Sequence, residues 1–138
     1  MTEPTLPLTG GCLCGGVRYE IDSPLVHASY CHCTRCQRRT GTAASANARV
    51  APGSLRILSG EELIREWVPD GGAAKCFCSA CGGALWSKDK EGRPSGVRLG
   101  TLDRDPGIRP QHRQFVAYAV PWEPIPDDSL PRYDEGKP

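Results

Sequence analysis

Cys31-His32-Cys33-Thr34-Arg35-Cys36 packs three thiols into six residues, the densest chemistry in the chain. The spacing C-x-C-x-x-C lets all three sulfurs converge on one point. Cys33-x-x-Cys36 is a two-ligand knuckle, in which a tight turn offers both thiolates to one ion. Cys31, two residues earlier on an extended segment, faces the same side as Cys33 because strand side chains alternate. Three thiolates suit Zn²⁺, whose tetrahedral shell then needs a fourth ligand. A protein ligand there makes a structural knot, whereas an open position makes a reactive centre.

Five further cysteines lie outside this stretch, for a total of eight. Gly10-Gly11-Cys12-Leu13-Cys14-Gly15-Gly16 frames two thiols with four glycines. Read as an extended strand, its C-x-C places both sulfurs on one side, and the glycines let the backbone close around an ion. Lys75-Cys76-Phe77-Cys78-Ser79-Ala80-Cys81-Gly82-Gly83 is a second C-x-x-C knuckle entered from a strand. Cys12, Cys14, Cys78 and Cys81 together make a four-thiolate site, closed to water and therefore structural. Such an ion clips two distant segments together, where a clip stabilises most in the chain-entropy picture. Spacing alone also permits a zinc ribbon of Cys33, Cys36, Cys78 and Cys81. That ribbon would have an unusually long insert and would leave Cys12 and Cys14 idle. Cys76 reads as a spare buried thiol, since free Cys behaves as a small apolar residue. Its rival role is a fourth ligand that closes the 31–36 site.

Composition sets the frame. A chain of 138 residues is one domain by length. With 16 Gly, 13 Pro, one Met and two Phe it has many turns and a thin core, which metal ligation offsets. Residues 1–10 carry neither a basic n-region nor an apolar h-region, so a cytoplasmic chain with reduced thiols is expected. No run approaches the roughly 18 apolar residues of a membrane span. Seventeen basic residues against sixteen acidic leave +1, which argues against neutralising nucleic-acid phosphates. The expected partner is thus neither nucleic acid nor membrane.

Alternation and turn signals predict strands over 17–21, 26–30, 55–57, 63–68, 84–87, 97–102 and 115–120. A single helical turn over 37–40 should stop at Gly41. Residues 1–9 read as a flexible leader, 10–120 as the zinc domain, and 121–138 as a Pro-rich extended tail. Trp122, Ile125, Leu130 and Tyr133 are expected to lay that tail on the body. Trp67, Trp86 and Trp122 read as core or tail anchors. His32, between two ligands, should face away from the metal. His27 reads as an ordinary strand residue, and His112 as a loop residue able to reach the site or to remain on the surface.

Three ordered motifs carry a resemblance. Gly11-Cys12-x-Cys14-Gly15-x-Val17-x-Tyr19, Cys31-His32-Cys33-x-x-Cys36-x-x-x-x-Gly41 and Phe77-Cys78-x-x-Cys81-Gly82 resemble the glutathione-dependent formaldehyde-activating enzyme family, to which the centromere protein V domain belongs. His112, Val120-Pro121-Trp122 and Leu130-Pro131 are similar to its C-terminal pattern, so the likeness spans residues 9–133. The resemblance implies an all-β, tent-like zinc fold of short antiparallel sheets with little helix. It implies a structural zinc on Cys12, Cys14, Cys78 and Cys81. It implies a second, catalytic zinc on Cys31, Cys33 and Cys36, where a small thiol such as glutathione meets formaldehyde. The activity it points to is that of a carbon–sulfur lyase acting on a thiol adduct of a small aldehyde.

Residue chemistry agrees with that picture. Zinc bound by three thiolates is a weak Lewis acid but holds a fourth thiolate well and deprotonates it. Arg35, Arg38 and Arg39 flank Cys36 and are candidates to grip the carboxylates of an anionic thiol. With three ligands, the second zinc should be the labile one. Two other classes remain to be weighed. One is a zinc-stabilised protein-binding module without catalysis. The other is a redox enzyme of the methionine sulfoxide reductase type, which needs a late reactive cysteine; no Cys follows Cys81.

Overall fold

A computed structural model describes residues 5–138 of the chain. Two sheets enclose the core. The smaller holds β1 (Leu8–Gly11), β2 (Arg18–Ile21) and β5 (Leu55–Ser59) in the order β1-β2-β5, all antiparallel. The larger contains β3 (His27–Cys31), β4 (Ser45–Arg49), β6 (Ile64–Trp67), β7 (Lys75–Cys78), β8 (Ala84–Lys88), β9 (Pro94–Arg98) and β10 (Arg113–Gln114). Its order is β10-β3-β4-β9-β8-β7-β6, antiparallel except where β10 runs parallel to β3. The seven-residue α1 (Thr34–Thr40) is the only α-helix among the described residues. The all-β reading with little helix therefore stands.

Period-two burial drives the sheets together. In β2, Tyr19 and Ile21 point inward while Arg18 and Glu20 alternate outward. Leu85 and Trp86 of β8 and Val97 of β9 meet them from the larger sheet. The Trp86 and Tyr19 rings pack edge to face with centroids 5.5 Å apart. The Tyr19 hydroxyl, buried in this layer, bonds to Thr101 Oγ1 at 2.6 Å, which satisfies it. Trp86 is thus a core anchor, as expected. Trp67 and Trp122 are not: they are 55% and 67% exposed, because β6 is an edge strand and Trp122 lies in an outward bend.

Several local expectations are corrected. β1 begins at Leu8, inside the stretch read as leader, and residues 1–4 lie outside the described region. Residues 97–102 are not one strand: β9 ends at Arg98 and a 3₁₀ turn follows over Leu99–Thr101. There the Thr101 hydroxyl donates to Arg98 O at 2.7 Å, competing with a strand ladder. Residues 115–120 also turn, with a 3₁₀ segment at Val116–Tyr118 behind Phe115 at φ 56°. The N–H groups of Phe115 and Val116 donate to the tail carbonyls of Glu135 and Tyr133.

The tail is extended along β10. Arg113 N–H donates to Pro131 O and Tyr133 N–H to Arg113 O, both at 2.9 Å. Arg113 clamps Asp128 at 2.8 Å and lies over the Tyr30 ring at 4.2 Å. Ile125, Leu130 and Tyr133 are half-buried in this contact.

Candidate metal centres

The first cluster sits where two turns meet. Cys12 and Cys14 occupy the β1–β2 turn, not a strand: Gly15 N–H closes on Cys12 O at 3.1 Å and Cys12 N–H on Val17 O at 3.2 Å. Their sulfurs converge because the chain reverses, not because strand side chains alternate. Backbone N–H groups line up on them, Val17 to Cys12 Sγ at 3.3 Å and Gly16 to Cys14 Sγ at 3.4 Å. Cys78 ends β7, and Gly82 N–H returns to its carbonyl at 2.7 Å to form the knuckle that brings in Cys81. All four sulfurs lie within 4.8 Å of one another, with Cys12–Cys14 at 3.5 Å and Cys14–Cys78 at 3.9 Å. Tetrahedral ligation at a Zn–S distance of about 2.3 Å puts sulfurs about 3.8 Å apart, so the set fits a zinc-like ion with little movement. The N–H groups of Cys14 and Gly83 stabilise the thiolate of Cys81 and pull its pKa down to about 6.

The second cluster is built on a strand end and a helix start. Cys31 closes β3 opposite Ser45 of β4. Cys33 is the N-cap of α1, its Sγ accepting from Cys36 N–H at 3.3 Å. The helix therefore starts at Thr34, three residues before the expected turn, because a cysteine plays the capping part usually taken by Ser or Asp. It stops at Gly41, whose φ of 68° suits the left-handed C-cap and whose N–H returns to Gln37 O at 2.8 Å. The three sulfurs lie within 4.8 Å of one another. The close approach of the Cys31 and Cys36 sulfurs draws the Cys36 thiol down and, with burial, pushes the Cys31 thiol up. Arg39 Nη2 sits 3.8 Å from the Cys36 sulfur. The Gln37 side chain donates to His32 O at 2.7 Å and Tyr118 O at 2.8 Å, docking the helix on the C-terminal segment.

This cluster opens onto a 370 Å³ cavity with Arg35 and Arg39 in its wall. Arg38 does not line it. That side chain borders a neighbouring 660 Å³ groove with Trp67 and Phe77. Cys76 joins neither cluster: it is buried, with its sulfur 3.9 Å from Glu66 Oε2, and burial pushes its thiol up. The second cluster therefore offers three thiols and, among the described residues, no fourth cysteine. His32 points away, its Nε2 3.2 Å from Arg113 Nη1. His112 is buried, with Nδ1 3.0 Å from His27 Nε2 and the two rings stacked. Lys75, Asn47, Ser87 and Arg98 also line the cavity. Sequence reasoning missed these four, because each looks like an ordinary strand residue until the sheet brings it beside the thiols.

The model of the glutathione-dependent formaldehyde-activating enzyme family matches residues 7–118. The chain belongs to this family. The match takes in both cysteine clusters, and family membership together with the sulfur geometry supports metal binding at each. A solved structure of a Rhodobacter sphaeroides protein has a similar fold, with a TM-score of 0.55 and 24% identity over 91% of this chain and 98% of that one. A search of curated proteins finds no match. No helix among the described residues is long and apolar enough to cross a membrane.

Proposed function

We propose that the chain is a cytoplasmic, zinc-dependent enzyme of the carbon–sulfur lyase type, acting on the adduct of a small thiol with a small aldehyde. The observation that carries this is a cluster of three convergent thiols with no fourth ligand among the described residues, facing a cavity, in a chain of this family. Cys12, Cys14, Cys78 and Cys81 hold a structural zinc. Cys31, Cys33 and Cys36 hold the second zinc, which when bound keeps the substrate sulfur as a thiolate. In the addition direction that sulfur forms a bond to the aldehyde carbon, the C=O π pair moves to oxygen, and the proton given up by the thiol ends on that oxygen. The lyase direction breaks the same C–S bond and returns the proton to sulfur. Arg39 offsets the charge on Cys36, and Arg35 and Arg39 bind the carboxylates of a thiol such as glutathione. Arg38, on the adjoining groove, meets the part of the substrate that extends past the cavity.

The test is zinc stoichiometry on untreated protein combined with glutathione titration by calorimetry, then release of formaldehyde from its glutathione adduct. Two zinc ions per chain, saturable glutathione binding and catalysed release are expected. Full zinc loading without thiol binding would overturn the enzyme reading. It would favour a zinc-stabilised protein-binding module, the alternative suggested by the groove beside exposed Trp67.

A further inference from the structure

The cavity beside the second cluster is lined by five cations, Arg35, Arg39, Arg49, Lys75 and Arg98, and by no carboxylate. The chain as a whole is balanced at +1, so this is a local concentration of charge. Every ion pair among the described residues lies elsewhere, and none of the five takes part in one.

Arg98 is the deepest of them, only 8% exposed at the end of β9. Three neutral acceptors hold it. Nη1 donates to Asn47 Oδ1 at 2.7 Å and to Gly96 O at 3.4 Å, and Nη2 donates to Ser87 Oγ at 3.0 Å. The same Ser87 hydroxyl accepts from Lys75 Nζ at 3.3 Å. With both lone pairs taken by cations, that hydroxyl has its own hydrogen left to donate. Asn47 sits opposite Arg98 in the β4–β9 register and donates to Ser45 Oγ at 2.7 Å. Ser45 in turn faces Cys31 across β3 and β4. A continuous rail thus sets the buried guanidinium at a fixed place relative to the thiols. Among the groups lining the cavity only the thiols of the second cluster can offset this charge, and a hydrophobic residue would pack this sheet face at less cost. The five cations outnumber those three thiols, which leaves positive charge for an arriving anion to meet.

We propose that Arg98 and Lys75, joined through Ser87, form a carboxylate subsite of the second centre, and that the preferred thiol is a compact one with a carboxylate a few bonds from its sulfur. The inference rests on thiol binding at the 31–36 centre, as argued above. It adds specificity residues from the sheet to the arginines of α1. Glutathione then binds as one member of a wider class of carboxylate-bearing thiols.

The experiment uses zinc-loaded protein and calorimetry with mercaptosuccinate, with 2-mercaptoethanol, and with thiol-free succinate. Mercaptosuccinate should bind at least about tenfold tighter than 2-mercaptoethanol, the scale of one charge-assisted contact. Arg98→Gln and Lys75→Gln should each remove most of that preference while affinity for 2-mercaptoethanol stays within about twofold. Arg98→Lys, a point charge without the fork, should restore part of it. If Arg98→Gln does not fold, Lys75→Gln, at a half-buried position, decides. Equal binding of both thiols by the wild type, or a preference that survives in the folded glutamine variants, overturns the subsite and leaves the thiol reading intact. Succinate binding that Arg98→Gln or Lys75→Gln abolishes, with 2-mercaptoethanol unbound and mercaptosuccinate no tighter than succinate, supports the subsite and sinks the thiol reading. No binding of any of the three overturns both.

Discussion

Cys78→Ser is the sharpest perturbation of the first centre. Cys78 is fully buried at the end of β7, and its sulfur faces Cys14, 64 residues away in sequence. A cross-link closing a loop of that size removes about 14 cal/mol/K from the unfolded chain, or about 4 kcal/mol at 25 °C. The whole stability of a domain this size is about 7–20 kcal/mol, so the clip is a large share of it. Each kcal/mol shifts the melting point of a chain of this length by roughly 3–5 °C, which makes the expected fall about 12–20 °C. Circular dichroism melts of zinc-loaded wild type and variant, with zinc per chain by native mass spectrometry, read both quantities. The variant should bind one zinc fewer and melt at least about 10 °C lower, or fail to accumulate as soluble protein. Cys76→Ala is the control: buried two residues away but outside both clusters, it should keep both ions and lose only about 1 kcal/mol. A soluble Cys78→Ser protein with a wild-type melting point and wild-type zinc content would refute the assignment.

Two further outcomes are expected. A graded chelator titration should strip zinc in two steps, first from Cys31, Cys33 and Cys36, with the melting point changing mainly in the second; a single step, or the reverse order, would contradict the three-against-four ligand reading. Stability should also fall in mild acid through the pair of half-buried His27 and buried His112. Burial lowers both pKa values below the ordinary 6.5, so the unfolded chain takes up protons before the folded one. The contribution is therefore complete above about pH 6.5 and is lost as pH drops toward the lower folded values. His112→Gln should flatten the melting-point difference between pH 8 and 5.5, and an unchanged slope would contradict the pairing.

Cysteine spacing makes the grouping of the sulfurs legible from the sequence alone. How Cys12 and Cys14 converge is not legible there, because C-x-C reads equally well as a strand or as the tip of a turn, and only the Cys12–Gly15 and Cys12–Val17 bonds decide it. The start of α1 is hidden for a similar reason: a cysteine cap carries none of the usual Ser, Asp or Asn signal. Beyond Arg98 the expected strand over 97–102, and all of that over 115–120, give way to turns despite suitable β-forming residues. Their backbone donors, however, are claimed by a local turn and by tail carbonyls far along the chain. Arg98 shows the harder limit. Nothing around Ser95-Gly96-Val97-Arg98 marks it, since its meaning comes from Asn47 and Ser87, contributed by two neighbouring strands.

The two centres also differ in when they become possible during synthesis. All three sulfurs of the second lie within six residues, so the ribosome delivers a complete donor set once Cys36 has emerged. The first must wait for Cys81, with Cys12 and Cys14 presented as a lone pair of thiols until well over half the chain is made. On the assignment proposed above, the ion that joins the two segments is therefore the later of the two to find a full set of ligands, and the three-thiol set is complete first.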